Sequence, residues 1–172
     1  MQVSVYDITA GQFIRSLTAL REMLPKIAQF SDQKKINPEV LLGSRLAPDQ
    51  FPLSKQIQIA CDGAKLCTAR LSGVEAPKND DKEQTIAEFT ARIDSTLTYL
   101  KSINPEQFDK FAEKVVRFPW NPDVSLSGKD YLTQYAIPNF YFHLTTAYSI
   151  LRHNGLDLGK ADYLGAVDWR KN

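Results

Sequence analysis

Asn139-Phe140-Tyr141-Phe142-His143 is the stretch on which the reading of this chain turns, together with Leu151-Arg152-His153-Asn154-Gly155, where a long helix should end. From Asp130 to Asn154 the positions Leu132, Ala136, Asn139, His143, Thr146 and Ile150 recur at helical spacing and form one inward stripe. Two polar side chains one turn apart therefore sit in an otherwise apolar seam. Pro138, just ahead of them, has no amide hydrogen for the Gln134 carbonyl and should kink the helix there. A kinked, polar-lined helix is how a bundle makes room for a ligand. Gly155 suits the position just past the helix end.

Outward from that helix, three more long helical patterns appear. Thr9 can cap the first, whose core positions are Phe13, Leu17, Leu20, Leu24 and Ile27, with Pro25 expected to bend or weaken its last turns. A loop from Ser31 to Pro52 follows, with room for one short turn after Pro38. The second helix runs from about Ser54 to Gly73 on the stripe Leu53, Ile57, Ala60, Ala64, Cys67 and Leu71, while Ile59 and Leu66 add apolar surface on another side. A polar linker, Glu75 to Asp81, leads to a third helix capped by Asn79 or Asp80 and cored by Ile86, Phe89, Ile93, Leu97 and Leu100. Pro105 opens a short amphipathic helix through Phe108 and Phe111. Val115-Val116-Arg117-Phe118, the turn Asn121-Pro122-Asp123 and Val124 to Leu126 read as a β-hairpin; the plainer reading is an irregular loop held by Trp120. The fold class expected is all-α: one domain over 1–172, a four-helix up-down-up-down bundle with a small β-hairpin before the last long helix.

Composition removes several function classes. With 21 Lys+Arg against 20 Asp+Glu, no strong field draws nucleic acid or anionic lipid. No apolar run approaches the roughly 20 residues that span a bilayer, and Met1 to Asp7 lack the blocks of a signal peptide. Cys61 and Cys67, six apart, point about 120° from each other on a helix and cannot pair, so a reduced, cytoplasmic protein is expected. Cys67 falls on the core stripe; Cys61 is read as the more accessible. There is no Gly-rich phosphate loop, no CxxC and no G-x-S-x-G.

The runs Ala136-Ile137-Pro138-Asn139-Phe140-Tyr141-Phe142-His143-Leu144-Thr145-Thr146-Ala147-Tyr148 and Leu151-Arg152-His153-Asn154-Gly155 carry a family resemblance. The chain resembles the DinB/YfiT-like bundles, and more specifically a bacterial branch known only as a domain of unknown function. The resemblance implies a divalent metal held by three histidines, one on the second helix and two at H-x-x-x-H on the last. His143 matches the second of that pair, Asn139 stands at the first, and Gln56 or Gln58 at the second-helix position. Gln56 is preferred because it borders Ala60, Gly63 and Cys67.

Neutral amides are weak ligands for zinc or nickel, so the expectation is no resident cofactor, or a divalent cation bound weakly at His143. Asp62 adds a carboxylate only if its helix turns that face inward; with Lys65 it otherwise reads as a surface pair. His143 can equally be a hydrogen-bonded core histidine, and Asn139 can cap the carbonyls freed by Pro138. The resemblance and the surplus of aromatics on the last helix imply a homodimer. Two functions stand side by side. One is a non-catalytic homodimer that binds a small-molecule ligand, or nothing, at Gln56, Asn139 and His143. The other is a divergent metal- or thiol-dependent transferase- or hydrolase-like enzyme using His143.

Overall fold

A computed structural model describes residues 3–170; Met1, Gln2, Lys171 and Asn172, and with them the start of the leader reading, lie outside the described residues. The chain runs α1 (Gln12–Lys34), α2 (Leu53–Ser72), α3 (Ile86–Lys101), β1 (Val115–Phe118), β2 (Asn121–Ser127), α4 (Gly128–Asp130), α5 (Ile137–His153) and α6 (Lys160–Leu164). It is the all-α bundle expected, with its small antiparallel hairpin in the expected place.

Every apolar residue assigned to the stripe of α1 is buried. Pro25 does not weaken its end: α1 continues to Lys34, because the buried stripe runs on through Ile27 to Ser31. Thr9 is not a cap. It lies in a π-turn, Asp7–Gly11, and its hydroxyl donates to the Val5 carbonyl at 2.6 Å, while the Ser4 hydroxyl caps the Asp7 amide. The start of α3 also differs, since Thr85 and Glu88 make a reciprocal capping box and Asn79 and Asp80 stay in the linker. The segment after Pro105 is two 3-10 turns, Pro105–Phe108 and Phe111–Glu113, not one helix. In the hairpin, Val116 and Phe118 point inward and Val115 and Arg117 outward, the period-two alternation of a half-buried strand.

α4 and α5 are joined through a π-turn, Tyr131–Ala136, immediately before Pro138. A proline cannot donate to the carbonyl four residues back and crowds it, so the helix widens one step upstream instead of breaking. Gly155, at φ 98°, closes α5 in the left-handed region as expected. α6, not anticipated from the sequence, packs on α1 through the Lys26–Asp162 ion pair at 2.7 Å.

The helix directions correct one expectation. α2 and α5 are antiparallel, with Gln56 against His143 near one end and Arg70 against Tyr131 at the other. α2 and α3 run the same way, since Gln58 meets Arg92 and Val74 meets Tyr99. α1 runs with α5, Phe13 stacking on Phe140 and Phe30 lying over Gly155. The order is therefore up-down-down-up. The linker after α2 makes this possible: α2 has 20 residues, about 30 Å, and a dozen extended residues at roughly 3.3 Å each cover that length.

That linker is strapped down by charge. Arg92, on α3 and almost fully buried, reaches Asp62 at 2.9 Å and Asp81 and Glu83 at 2.7 Å. Lys55 reaches Asp81 at 3.0 Å and Gln58 donates to Glu83 at 2.9 Å. Lys65, also buried, pairs with Asp62 at 3.0 Å and donates to the Asn79 side-chain oxygen at 2.7 Å. Asp62 and Lys65 are thus not a surface pair. The linker lies over them, and three cations meet three carboxylates where it crosses α2 and α3.

Candidate functional site

Gln56, near the start of α2, and His143, in the middle of α5, come together across the contact between the two helices. Both are buried, at 1% and 8% exposure, and His143 Nδ1 lies 2.7 Å from Gln56 Oε1. The other end of the Gln56 carboxamide donates from Nε2 to the Phe51 carbonyl at 3.0 Å. The loop that precedes α2 therefore sets the side chain that meets His143. Gln58, the other candidate, faces the linker and is held by Glu83, so α2 presents Gln56 to α5, as its position beside the core stripe suggests.

Asn139 lies one turn before His143, half-buried, with its amide over Gly63 of α2: a Cβ on Gly63 would come 3.7 Å from Asn139 Nδ2. Among the described residues it makes no side-chain hydrogen bond, so it does not cap the carbonyls freed by Pro138; the π-turn absorbs that defect instead. Asp62 does not turn toward His143, being engaged by Arg92 and Lys65. Cys61 is as buried as Cys67, against the expectation of access, and burial raises both thiols to about 12. Neither is a thiolate near neutral pH.

Burial pushes the His143 imidazole below its ordinary range, because the charged form would lose its hydration. The ring is therefore neutral near pH 7, able to accept a proton or donate a lone pair. The donor set does not fit a firmly held divalent ion. Among the described residues no group of three His, Cys, Asp or Glu side chains is arranged to hold a metal ion. The site offers one imidazole and two neutral amides, and the Gln56 oxygen is already committed to His143.

The five clefts described among residues 3–170 lie elsewhere. One of about 650 Å³ runs beside the linker, lined by Lys65, Leu66, Arg70 and residues 73–81. None of the five is lined by Gln56, Asn139 or His143. Much of the aromatic surplus on α5 is covered by local structure: Tyr135 by Phe118 and Trp120 of the hairpin, Tyr148 by Tyr163 of α6. Phe142, edge-on to the His143 ring, is left 56% exposed. Sequence reasoning singled out Gln56, Asn139 and His143 but gave Phe51 and Gly63 no role. A backbone carbonyl leaves no trace in a sequence; a glycine in mid-helix does.

Residues 5–164 match the family described as "Domain of unknown function (DUF1993)". The chain is also similar to the crystal structure of a DinB family member protein from Shewanella denitrificans, with 46% identity over 98% of this chain and 96% of that one and a TM-score of 0.93. None of the curated proteins matches.

Proposed function

Because the chain belongs to the DinB family, in its domain-of-unknown-function branch, we propose that it is a cytoplasmic, non-catalytic homodimer that binds a small organic molecule at Gln56, Asn139 and His143. The observation that carries this reading is the buried Gln56–His143 hydrogen bond. It ties up the oxygen a metal would need, yet leaves a neutral imidazole and a free Asn139 amide on one face. For the homodimer, the support is Phe142, a large apolar side chain of α5 left exposed. No helix is long and apolar enough to cross a membrane, and the near-zero net charge argues against nucleic acid. Zinc or nickel binds only weakly, through His143.

Metal content by mass spectrometry of untagged protein, followed by zinc and nickel titration, is the first test. Metal-free protein that takes up neither ion tightly, but is stabilised thermally by organic compounds in a His143-dependent way, is the expected outcome. Sedimentation at micromolar concentration should give twice the chain mass, and Phe142→Asp should halve it. The second reading, a metal- or thiol-dependent transferase- or hydrolase-like enzyme with His143 as base, draws support from the lowered imidazole pKa. Stoichiometric metal that disappears in His143→Ala would put it first.

A further inference from the structure

Gln56 carries more information than its single contact with His143. A backbone carbonyl can only accept, so the Gln56 nitrogen must face Phe51 and its oxygen must face His143. An amide oxygen in turn only accepts, so a neutral His143 carries its proton on Nδ1. Nε2 then bears the lone pair. It has no partner among the described residues, and the buried polar atoms without partners are Ser31 Oγ, Thr68 Oγ1 and Arg92 Nε, so Nε2 reaches the surface.

Neither helix supplies an unpaired charge for a ligand. Between Ile137 and Leu151, α5 has no Asp, Glu, Lys or Arg. On α2, Lys55 is paired with Asp81, Asp62 with Lys65 and Arg92, and Arg70 stacks on Phe118 and Tyr131.

Gly63 is the second, independent observation. It sits inside α2, where glycine is unfavourable relative to alanine, yet its φ is not left-handed and a Cβ would make only ordinary contacts at 3.7 and 3.9 Å with Asn139 and Phe140. Neither the backbone nor the packing of α5 calls for glycine here. The face of Gly63 meets α5 at Asn139 and Phe140, on the same side of α2 as Gln56 two turns earlier.

From these arrangements, and resting on the small-molecule reading above, we infer that the ligand is an uncharged molecule that donates a hydrogen bond to His143 Nε2 and meets the Asn139 amide over Gly63. Gln56 is the positioning residue, which fixes the imidazole tautomer, and Gly63 determines which molecules fit. A hydroxyl or primary amide on an apolar body lying along Phe142 has the required chemistry.

Long-range 15N–1H NMR at His143 tests this on the full chain. The expected result is the Nδ1–H tautomer in the wild type, kept in Gln56→Glu, which still accepts from Nδ1, and lost in Gln56→Leu. A wild-type Nε2–H tautomer would overturn the role of Gln56 whatever the site binds. Benzyl alcohol, benzamide, benzoate and zinc are then titrated in turn. Shifts of Nε2 by the two neutral probes, abolished in a folded Gly63→Ala, support the inference. Shifts by benzoate or zinc alone would refute the ligand class while a binding site survives. No shift with any probe, with the Nδ1–H tautomer present, would refute both the ligand class and the small-molecule reading.

Discussion

Arg92 holds together three segments of the chain with one guanidinium: Asp62 of α2, and Asp81 and Glu83 of the linker. Burial alone would lower its basicity, but these carboxylates raise it well above its usual value. Taking away one member of such a set strands the rest, so Arg92→Met should lower stability by about 3–5 kcal/mol in urea unfolding. The half-exposed Arg21–Asp94 pair on α1 and α3 is the control, and Arg21→Met should leave the urea midpoint nearly unmoved. His143 gives a pH signature. Its folded pKa is depressed by burial, so the stability it contributes is whole above the ordinary imidazole range, near 6.5, and drains as pH falls through the lowered folded value. The melting temperature should therefore drop between neutral and mildly acid pH, and His143→Gln should flatten that drop. A profile unchanged by the substitution would place the titrating group elsewhere.

At the scale of elements, the pieces read correctly from sequence were those whose signal is local. The apolar spacing of α1, α2, α3 and α5, the alternation of β1, and the left-handed glycines closing α2 and α5 are written in neighbouring residues. The meeting of Gln56 with His143 was expected from the family resemblance, and the apolar stripe that Gln56 borders favoured it over Gln58. The linker was not legible. Asp62, Lys65 and Arg92 look like solvated positions until a polar segment is laid over them, and what covers a helix face is a tertiary fact. For the same reason Cys61 looked accessible. Gly128 tests how tightly the hairpin end is seated. A Cβ there would run into the Phe111 backbone carbonyl, which has no flexible end to move aside. Gly128→Ala should destabilise by about 1–3 kcal/mol, read in thermal or urea unfolding, although alanine favours helix. Asp81, the linker residue at φ 56°, is held there by Lys55 and Arg92. Although burial works against it, hydrogen bonds from those two side chains keep its carboxyl below the usual range.

For the whole molecule, the up-down-down-up order sets the timing of assembly. Helices joined by short turns meet their antiparallel neighbours early, because little chain must be closed. Here α2 cannot do so. Its sequence neighbour α3 lies parallel to it behind a linker that travels the length of the bundle, and its antiparallel partner α5 begins more than sixty residues further on. Folding should therefore be slower than the microsecond-to-millisecond range of locally connected helical bundles. The clasp of Arg92 on Asp81 and Glu83 requires α2, α3 and the linker to be in place at once, so it forms after the rate-limiting step. In stopped-flow chevrons, Asp81→Ala should speed unfolding and leave the refolding limb nearly unmoved. A refolding rate that fell in step with stability would mean that the linker lies down first and guides the helices. A charge cluster that looks like a static tie would then be the nucleus of the fold.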